Sequence, residues 1–256
     1  MLEKYTIVWS FRNRFEVLRK SIETADKFTP KSVDFCLVDA ASTDETIKQL
    51  REYCNTIIDR KVRICESSYR SGLSEAWNLG MMLTDSRYVI FSSSDVEFLS
   101  PNWFYEVYNY HTQSKSEYIL IENHAVFLID KKAIPKMGWF DEEFIAGPHF
   151  DCDYMIRASE NGVRLSIIAN NNYYTHVGET QDDSIKRTTS NVPDRLPMND
   201  LTNEKYFKLK WASGWSGWES YLNQVHKPHP PTHINQAQRN KLEIDAHPIY
   251  TKKYTK

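Results

Sequence analysis

The feature that most constrains this chain is the alternation of short apolar runs with amphipathic segments through roughly its first hundred residues. "YTIVWSF" (Tyr5–Phe11) reads as a strand, and Phe15, Leu18, Ile22 and Ala25 follow at helical spacing. "VDFCLVD" (Val33–Asp39) is a second strand. In the "STDE" after it, Ser42 and Glu45 have the capping-box spacing for a helix carrying Ile47 and Leu50. "IIDRKVRIC" (Ile57–Cys65) reads as a third strand. Leu73, Ala76, Trp77, Gly80 and Met81 then share one helical face, and "RYVIFSS" (Arg87–Ser93) is a fourth strand. Such β-α-β-α order predicts an α/β fold, with a mostly parallel sheet flanked by helices. Ligands of open sheets of this kind sit beyond the carboxyl ends of the strands, where Asp39 and Asp95 fall.

The second half is less regular. Strands are expected near Tyr118–Ile121, Ala125–Ile129 and Arg164–Ile168, and a helix over Asp151–Asn161. From Gly178 to Asp200 the chain is polar and aperiodic, which predicts a long functional loop or disorder. The His-, Pro-, Lys- and Tyr-rich end reads as an arm over the domain. The expected division is one domain over 1–215, with halves near 1–100 and 101–215, and a C-terminal extension over 216–256.

A chain of 256 residues with 26% charged residues can bury a sizeable core, and its net charge of −2 gives no general attraction to nucleic acid or acidic lipid. The four cysteines form no CxxC pair, and no apolar run approaches the roughly 18 residues of a membrane span. With no signal-peptide pattern at "MLEKYTIVWS", the expectation is a soluble, cytoplasmic protein with reduced thiols.

The chemistry-bearing residues cluster at the ends of the strands. "FSSSDVEFLSPNW" leaves the fourth strand with Asp95 and Glu97 at i and i+2, able to share one side of an extended turn and present hard oxygen ligands. Mg²⁺ or Mn²⁺ takes one or two such carboxylates and completes its shell with phosphate oxygens. The alternative is that Asp95 caps the following turn and Glu97 is solvated. Asp39 can accept from a base N–H or a ribose hydroxyl, or be an ordinary loop aspartate.

"SFRNR" (Ser10–Arg14) places amide and guanidinium donors at the end of the first strand, and arginine's planar fork suits phosphate. In "FDCDYMIRASENG", Asp153 and Arg157 have the i, i+4 spacing of a local ion pair, whereas Asp151 is placed to act as a general base. His176 ends a short β-like stretch, "YYTH". "HKPHPPTH" reads as a solvated tail, because its prolines prevent one preorganised metal-binding face. Trp211, Trp215 and Trp218 are a packing or sugar-stacking stripe. Walker, GxGxxG, HExxH and GxSxG motifs are absent from the sequence.

Taken in order, "SFRNR", "LVDAASTDET", "GLSEAWNLG", "FSSSDVEF", "GWFDEEF…DCDYMIRA" and "THVGE" resemble the GT-A fold nucleotide-sugar glycosyltransferases, especially family 2, over about Tyr5 to Gly178. "SFRNR" is also similar to the Pro-Phe-Arg-Asn-Arg stretch of β-1,4-galactosyltransferases. The resemblance implies a donor site made by Ser10, Arg12, Asn13, Arg14, Asp39, Ser42, Arg70, Gly72, Asn78 and Ser94. It implies a divalent cation, Mn²⁺ or Mg²⁺, on Asp95, Glu97 and His176, and Asp151 as the base of an inverting transfer from a nucleotide sugar such as a UDP-sugar. Acceptor contacts are expected at Trp139, His149, Asp153 and Trp211, with a saccharide, glycan or other hydroxyl compound as acceptor. Against the family pattern, Ala40 and Ala41 stand where Asp and Gly are usual, Phe150 precedes the base, and serines precede Asp95. The competing expectations are a retaining transferase, a nucleotidyltransferase, and a nucleotide-sugar-binding module without activity. "SFRNRFEVL" lacks the glycines of the usual nucleotidyltransferase loop.

Overall fold

The computed structural model describes residues 4–67, 71–142, 144, 149–169, 172–176, 203 and 207. The chain separates into two compact units, one comprising Met1–Ser71, Ala76–Lys132 and Arg164–Glu179, the other Gly72–Glu75, Ala133–Val163 and Thr180–Lys256. The first unit holds every described strand. Strands β1 (Tyr5–Phe11), β2 (Asp34–Asp39), β3 (Val62–Glu66), β4 (Tyr88–Ser93), β6 (Tyr118–Ile121), β7 (Asn123–Asp130) and β8 (Leu165–Ile168) form a seven-stranded sheet in the order β3-β2-β1-β4-β7-β6-β8. The β3-β2-β1-β4 run is parallel, and β7 enters antiparallel between β4 and β6. A second small sheet pairs β5 (Val96–Phe98) with β9 (Tyr174–His176).

Both faces of the sheet are covered, which is why the strands read as unbroken apolar runs. On one face Trp9 packs edge-on against Phe35, with ring centroids 4.9 Å apart, and its indole N–H donates to Ser21 Oγ of α1 (Phe15–Phe28) at 2.9 Å. On the other, Val8 and Val38 lie under α3 (Leu73–Leu83). There Gly80 comes so close that a Cβ would stand 2.3 Å from Val8 Cγ1. Trp77, on the same helix, fits between Phe91 and Phe127 at 5.3 and 4.9 Å. The hydrophobic face seen in the sequence is therefore the packing face, and glycine is needed for the approach.

Three local expectations change. Helix α2 (Thr46–Cys54) begins at Glu45 without a side-chain cap, because Ser42 is engaged elsewhere. Strand β3 starts at Val62: Asp59 turns the chain at a left-handed φ of 62°, and the Arg60 guanidinium is buried on the carbonyls of Pro30, Val33 and Thr29. Helix α4 (Trp103–Ser114), not anticipated from the sequence, follows "SPN" and buries Trp103, Phe104, Val107 and His111.

In the second unit a short helix α5 (Ile134–Met137) precedes α6 (Phe150–Glu160). Arg157 is fully buried there and grips Asp153 Oδ2 through Nε at 2.9 Å and Nη2 at 2.7 Å. Its Nη1 donates to the carbonyls of Met137 and Trp139. Among the described residues, no helix is long and apolar enough to cross a membrane. The segment 177–202 and the C-terminal extension from 208, with Trp211, Trp215, Trp218 and the histidine-proline stretch, lie outside the described residues.

Candidate active site

Strand register brings the donor-side residues together. Phe11 lies opposite Asp39, and Ser10 opposite Ser93, so the ends of β1, β2 and β4 are level along one edge of the sheet. Asp39 is 2% exposed, and its carboxylate accepts from the Ser42 N–H at 3.0 Å and the Ser42 hydroxyl at 2.5 Å. Ser42 Oγ in turn accepts the Asn13 N–H at 2.7 Å. The Asn13 side chain accepts from Thr43 N at 2.8 Å, so the loops after β1 and β2 are stitched into one surface.

The stitching imposes unusual backbone: Asn13, Arg14 and Ala41 have φ of 58°, 66° and 60°. It also explains the missing helix cap, since a serine bonded to Asp39 and Asn13 cannot cap Thr46; Asp44 Oδ1 accepts that N–H instead, at 3.0 Å. Burial pushes the Asp39 carboxyl above its usual range; the Ser42 hydrogen bonds and the Arg12 charge oppose this, and Glu66 adds to it. Arg12 Nε is buried and finds no hydrogen-bond partner among the described residues. A buried guanidinium N–H at this strand edge is a strong donor suited to an anionic acceptor.

The second part of the site hangs on β5. Val96 and Phe98 are buried, which turns Glu97 to the opposite side of the strand, and Asp95 lies in the turn just before it. Phe98 N donates to Thr24 Oγ1 of α1 at 3.0 Å, and β9 pairs so that Val96 faces His176. The result sets His176 Nδ1 3.5 Å from Asp95 Oδ1. Burial works to raise the Asp95 carboxyl, but His176, with the Arg14 charge assisting, holds it below the usual carboxylate range. The hydrogen bond that His176 donates to Asp95 raises the imidazole's pKa; burial opposes it, and the charges of Asp95 and Glu122 add. Because Arg14 acts on Asp95, the stitched loops and the Asp95–His176 pair belong to one electrostatic region.

Asp95 and His176 suit a hard divalent cation as a partial ligand set. Cis ligands of an octahedral cation stand about 3 Å apart, close to the separation found, and such cations take their remaining ligands from water and phosphate. Among the described residues, no group of three His, Cys, Asp or Glu side chains forms a complete metal cage. Glu97 is opposed to Thr175, on the face of the β5–β9 ladder away from Val96 and His176, so the expected set of Asp95, Glu97 and His176 is reduced to Asp95 and His176.

The remaining expected residues divide. Ser94 is half-buried beside Asp95, whereas Asn78 is fully buried in α3. Gly72 lies in the second unit, and Arg70 and Trp211 are outside the described residues. Asp151 is half-buried in the first turn of α6, its Oδ1 accepting from Cys152 N at 2.8 Å. The acceptor contacts expected of Asp153 and Trp139 are corrected: Asp153 is 0% and Trp139 1% exposed, so both are parts of the Arg157 core. His149 is also buried, stacked on Phe207 with centroids 5.3 Å apart. Sequence reasoning missed Thr24, Tyr174 and Asn123, which hold β5, β9 and the β6–β7 turn; none carries a motif, and only tertiary pairing reveals them.

A model of glycosyl transferase family 2 matches residues 6–146, more than half of the chain. The chain belongs to that family. Comparison with curated protein sequences finds no match. The family 2 chain is similar in structure to S. aureus TarS 1–349 in complex with UDP-GlcNAc, with a TM-score of 0.62 at 14% identity, over 87% of this chain and 70% of that one. It is likewise similar to the mannosyltransferase PcManGT from Pyrobaculum calidifontis in complex with GDP-Man and Mn²⁺, with a TM-score of 0.64 at 12% identity, over 96% and 75%. The sheet order and covering helices are those of the GT-A fold, and the protein is a glycosyltransferase acting on a nucleotide sugar.

Proposed function

We propose that this glycosyltransferase carries out a cation-dependent, inverting transfer of a sugar from a nucleoside-diphosphate donor, with UDP as the nucleotide, to an acceptor hydroxyl. The observation that carries the reading is the 3.5 Å approach of His176 to Asp95 at the strand edge that also bears Asp39 and the "SFRNR" loop. The UDP-GlcNAc, GDP-Man and Mn²⁺ of the similar structures support a nucleotide-sugar donor and a divalent cation.

In this reading Asp39, Ser42 and Asn13 shape the base and ribose subsite. Arg12 supplies its unpaired N–H, with Ser10, Arg14 and Ser94 completing the donor contacts. Asp95 and His176 would hold the cation, which when bound supplies charge neutralisation for the departing diphosphate. Asp151 takes the proton of the attacking hydroxyl. Support for that role comes from its own helix turn: Asp153 is consumed by Arg157, and Asp151 is the carboxylate that keeps exposure. All four cysteines are free thiols, which supports a reducing, cytoplasmic setting.

The test is donor binding and transfer with UDP-sugars and Mn²⁺ in the wild type, Asp95→Ala, His176→Ala and Asp151→Asn. The first two variants are expected to lose cation-dependent binding. The third should bind donor normally and lose about a hundredfold or more in turnover. Full turnover in Asp151→Asn, or a product of retained anomeric configuration, refutes the inverting assignment. Normal cation-dependent activity in Asp95→Ala refutes the metal site.

A further inference from the structure

The β6–β7 hairpin turns at the same edge of the sheet as Asp95. Strand β7 runs antiparallel to β4 with Val126 opposite Ser92, so the residues preceding it approach the end of β4. The ladder slips between Leu120 and Ile121, and Glu122 adopts a left-handed φ of 68°, a conformation that side chains with a Cβ take only at a cost. That turn is held firmly. Glu122 N donates to Ile168 O at 2.8 Å. The Tyr174 hydroxyl reaches Ile121 O at 2.7 Å and Asn123 Oδ1 at 3.1 Å, gripping the chain on either side of Glu122. Tyr174 also lies two residues before His176 on β9.

The Glu122 side chain is exposed, and no hydrogen bond or ion pair ties its carboxylate to another described residue. Its turn is anchored through Tyr174 to the strand that carries His176, at the sheet edge where β4 ends before Asp95. A fixed backbone, a solvent-facing acidic group and a position at the edge that bears the Asp95–His176 pair together point to a ligand-side role.

We propose that Glu122 is a specificity-determining residue that accepts hydrogen bonds from the hydroxyl groups of the transferred sugar. The inference rests on the glycosyltransferase reading above. The sign of the charge selects the partner: a carboxylate repels the diphosphate, so the neutral, hydroxyl-bearing part of the donor is what it can hold. Its two oxygens accept from neighbouring hydroxyls, and such charge-assisted bonds are the stronger kind.

The experiment compares binding of UDP, GDP, UDP-glucose, UDP-GlcNAc and GDP-mannose, each with Mn²⁺, by isothermal titration to wild type, Glu122→Gln, Glu122→Ala and Glu122→Gly. The glycine variant removes the carboxylate while suiting the left-handed backbone, so it separates side-chain chemistry from a folding defect. The bare nucleotides are expected to bind all four proteins alike. The additional affinity that the preferred sugar confers should fall about tenfold or more in the alanine and glycine variants, and by less in the glutamine variant. An unchanged sugar increment in Glu122→Gly overturns the inference alone. An equal loss for bare nucleotide and nucleotide sugar also overturns it, assigning Glu122 to the support of His176. A wild type that binds none of the nucleotides overturns the functional reading, and the inference with it.

Discussion

Replacing Asp153 with alanine tests whether the second acidic residue of "DCD" belongs to the substrate or to the core. In the folded protein Asp153 and Arg157 are each 0% exposed. Asp153→Ala removes two of the guanidinium's hydrogen bonds and a buried counter-charge together, while those to the Met137 and Trp139 carbonyls remain. Breaking one side of such a buried pair costs about 3–5 kcal/mol, because the surviving buried charge loses a carboxylate that compensated it. For a chain of this size each kcal/mol shifts Tm by about 2–4 °C, so a fall of roughly 6–20 °C is expected in a thermal melt. The double variant Asp153→Leu/Arg157→Met removes both charges and should recover most of that loss. Where Asp153→Ala is still folded, its acceptor KM should equal that of the wild type. A Tm within about 2 °C of wild type, or a double variant as unstable as the single one, would refute the structural assignment.

Gly80→Ala forces a Cβ to 2.3 Å from Val8 Cγ1. Overpacking of about 1–3 kcal/mol then outweighs the roughly 1 kcal/mol gained in helix propensity, and urea unfolding should register a net loss. A stabilised variant would mean that α3 moves away freely. Asp39 carries a raised pKa, so between its unfolded value near 4 and its folded value the native state retains a proton that the unfolded chain has released. Stability from this group is full below that interval and falls as pH rises through it. Asp39→Asn should therefore gain stability over wild type across the window while weakening nucleotide binding; a difference that is flat with pH contradicts this. Ser42→Ala removes the hydroxyl shared by Asp39 and Asn13, and about 1–2 kcal/mol of stability together with weaker UDP binding are expected by titration calorimetry.

The first hundred residues of the fold were legible because their signals are local and agree with one another. β1 is a short unbroken apolar run and α1 carries its core-facing residues at helical spacing, and the register that levels Asp39 with Phe11 follows once the parallel order is known. Where two local signals competed, the sequence misled. Ser42 has capping-box spacing, yet a buried carboxylate three residues earlier is the stronger attractor, since an unpaired Asp39 would carry the larger desolvation cost. The run beginning at Ile57 was similarly too generous, because it hid a turn whose arginine serves backbone carbonyls on neighbouring segments.

The Asp95–His176 side of the site was legible only as chemistry. Asp95, Glu97 and His176 could be named from residue type and position, but their placement depends on contacts with no sequence signature. Thr24 fixes the β5 backbone from a helix that begins far upstream, and Tyr174 fixes β9 by gripping the β6–β7 turn. Each anchor is an ordinary polar residue acting through one long-range hydrogen bond, so no local pattern distinguishes it from a solvated neighbour. The consequence is directional. If the Asp95–His176 geometry depends on these anchors, then Thr24→Val and Tyr174→Phe should weaken cation-dependent donor binding while leaving cation-free nucleotide binding, which rests on the stitched β1 and β2 loops, unchanged. Loss of both modes in either variant would mean that the two halves of the site stand or fall as one element.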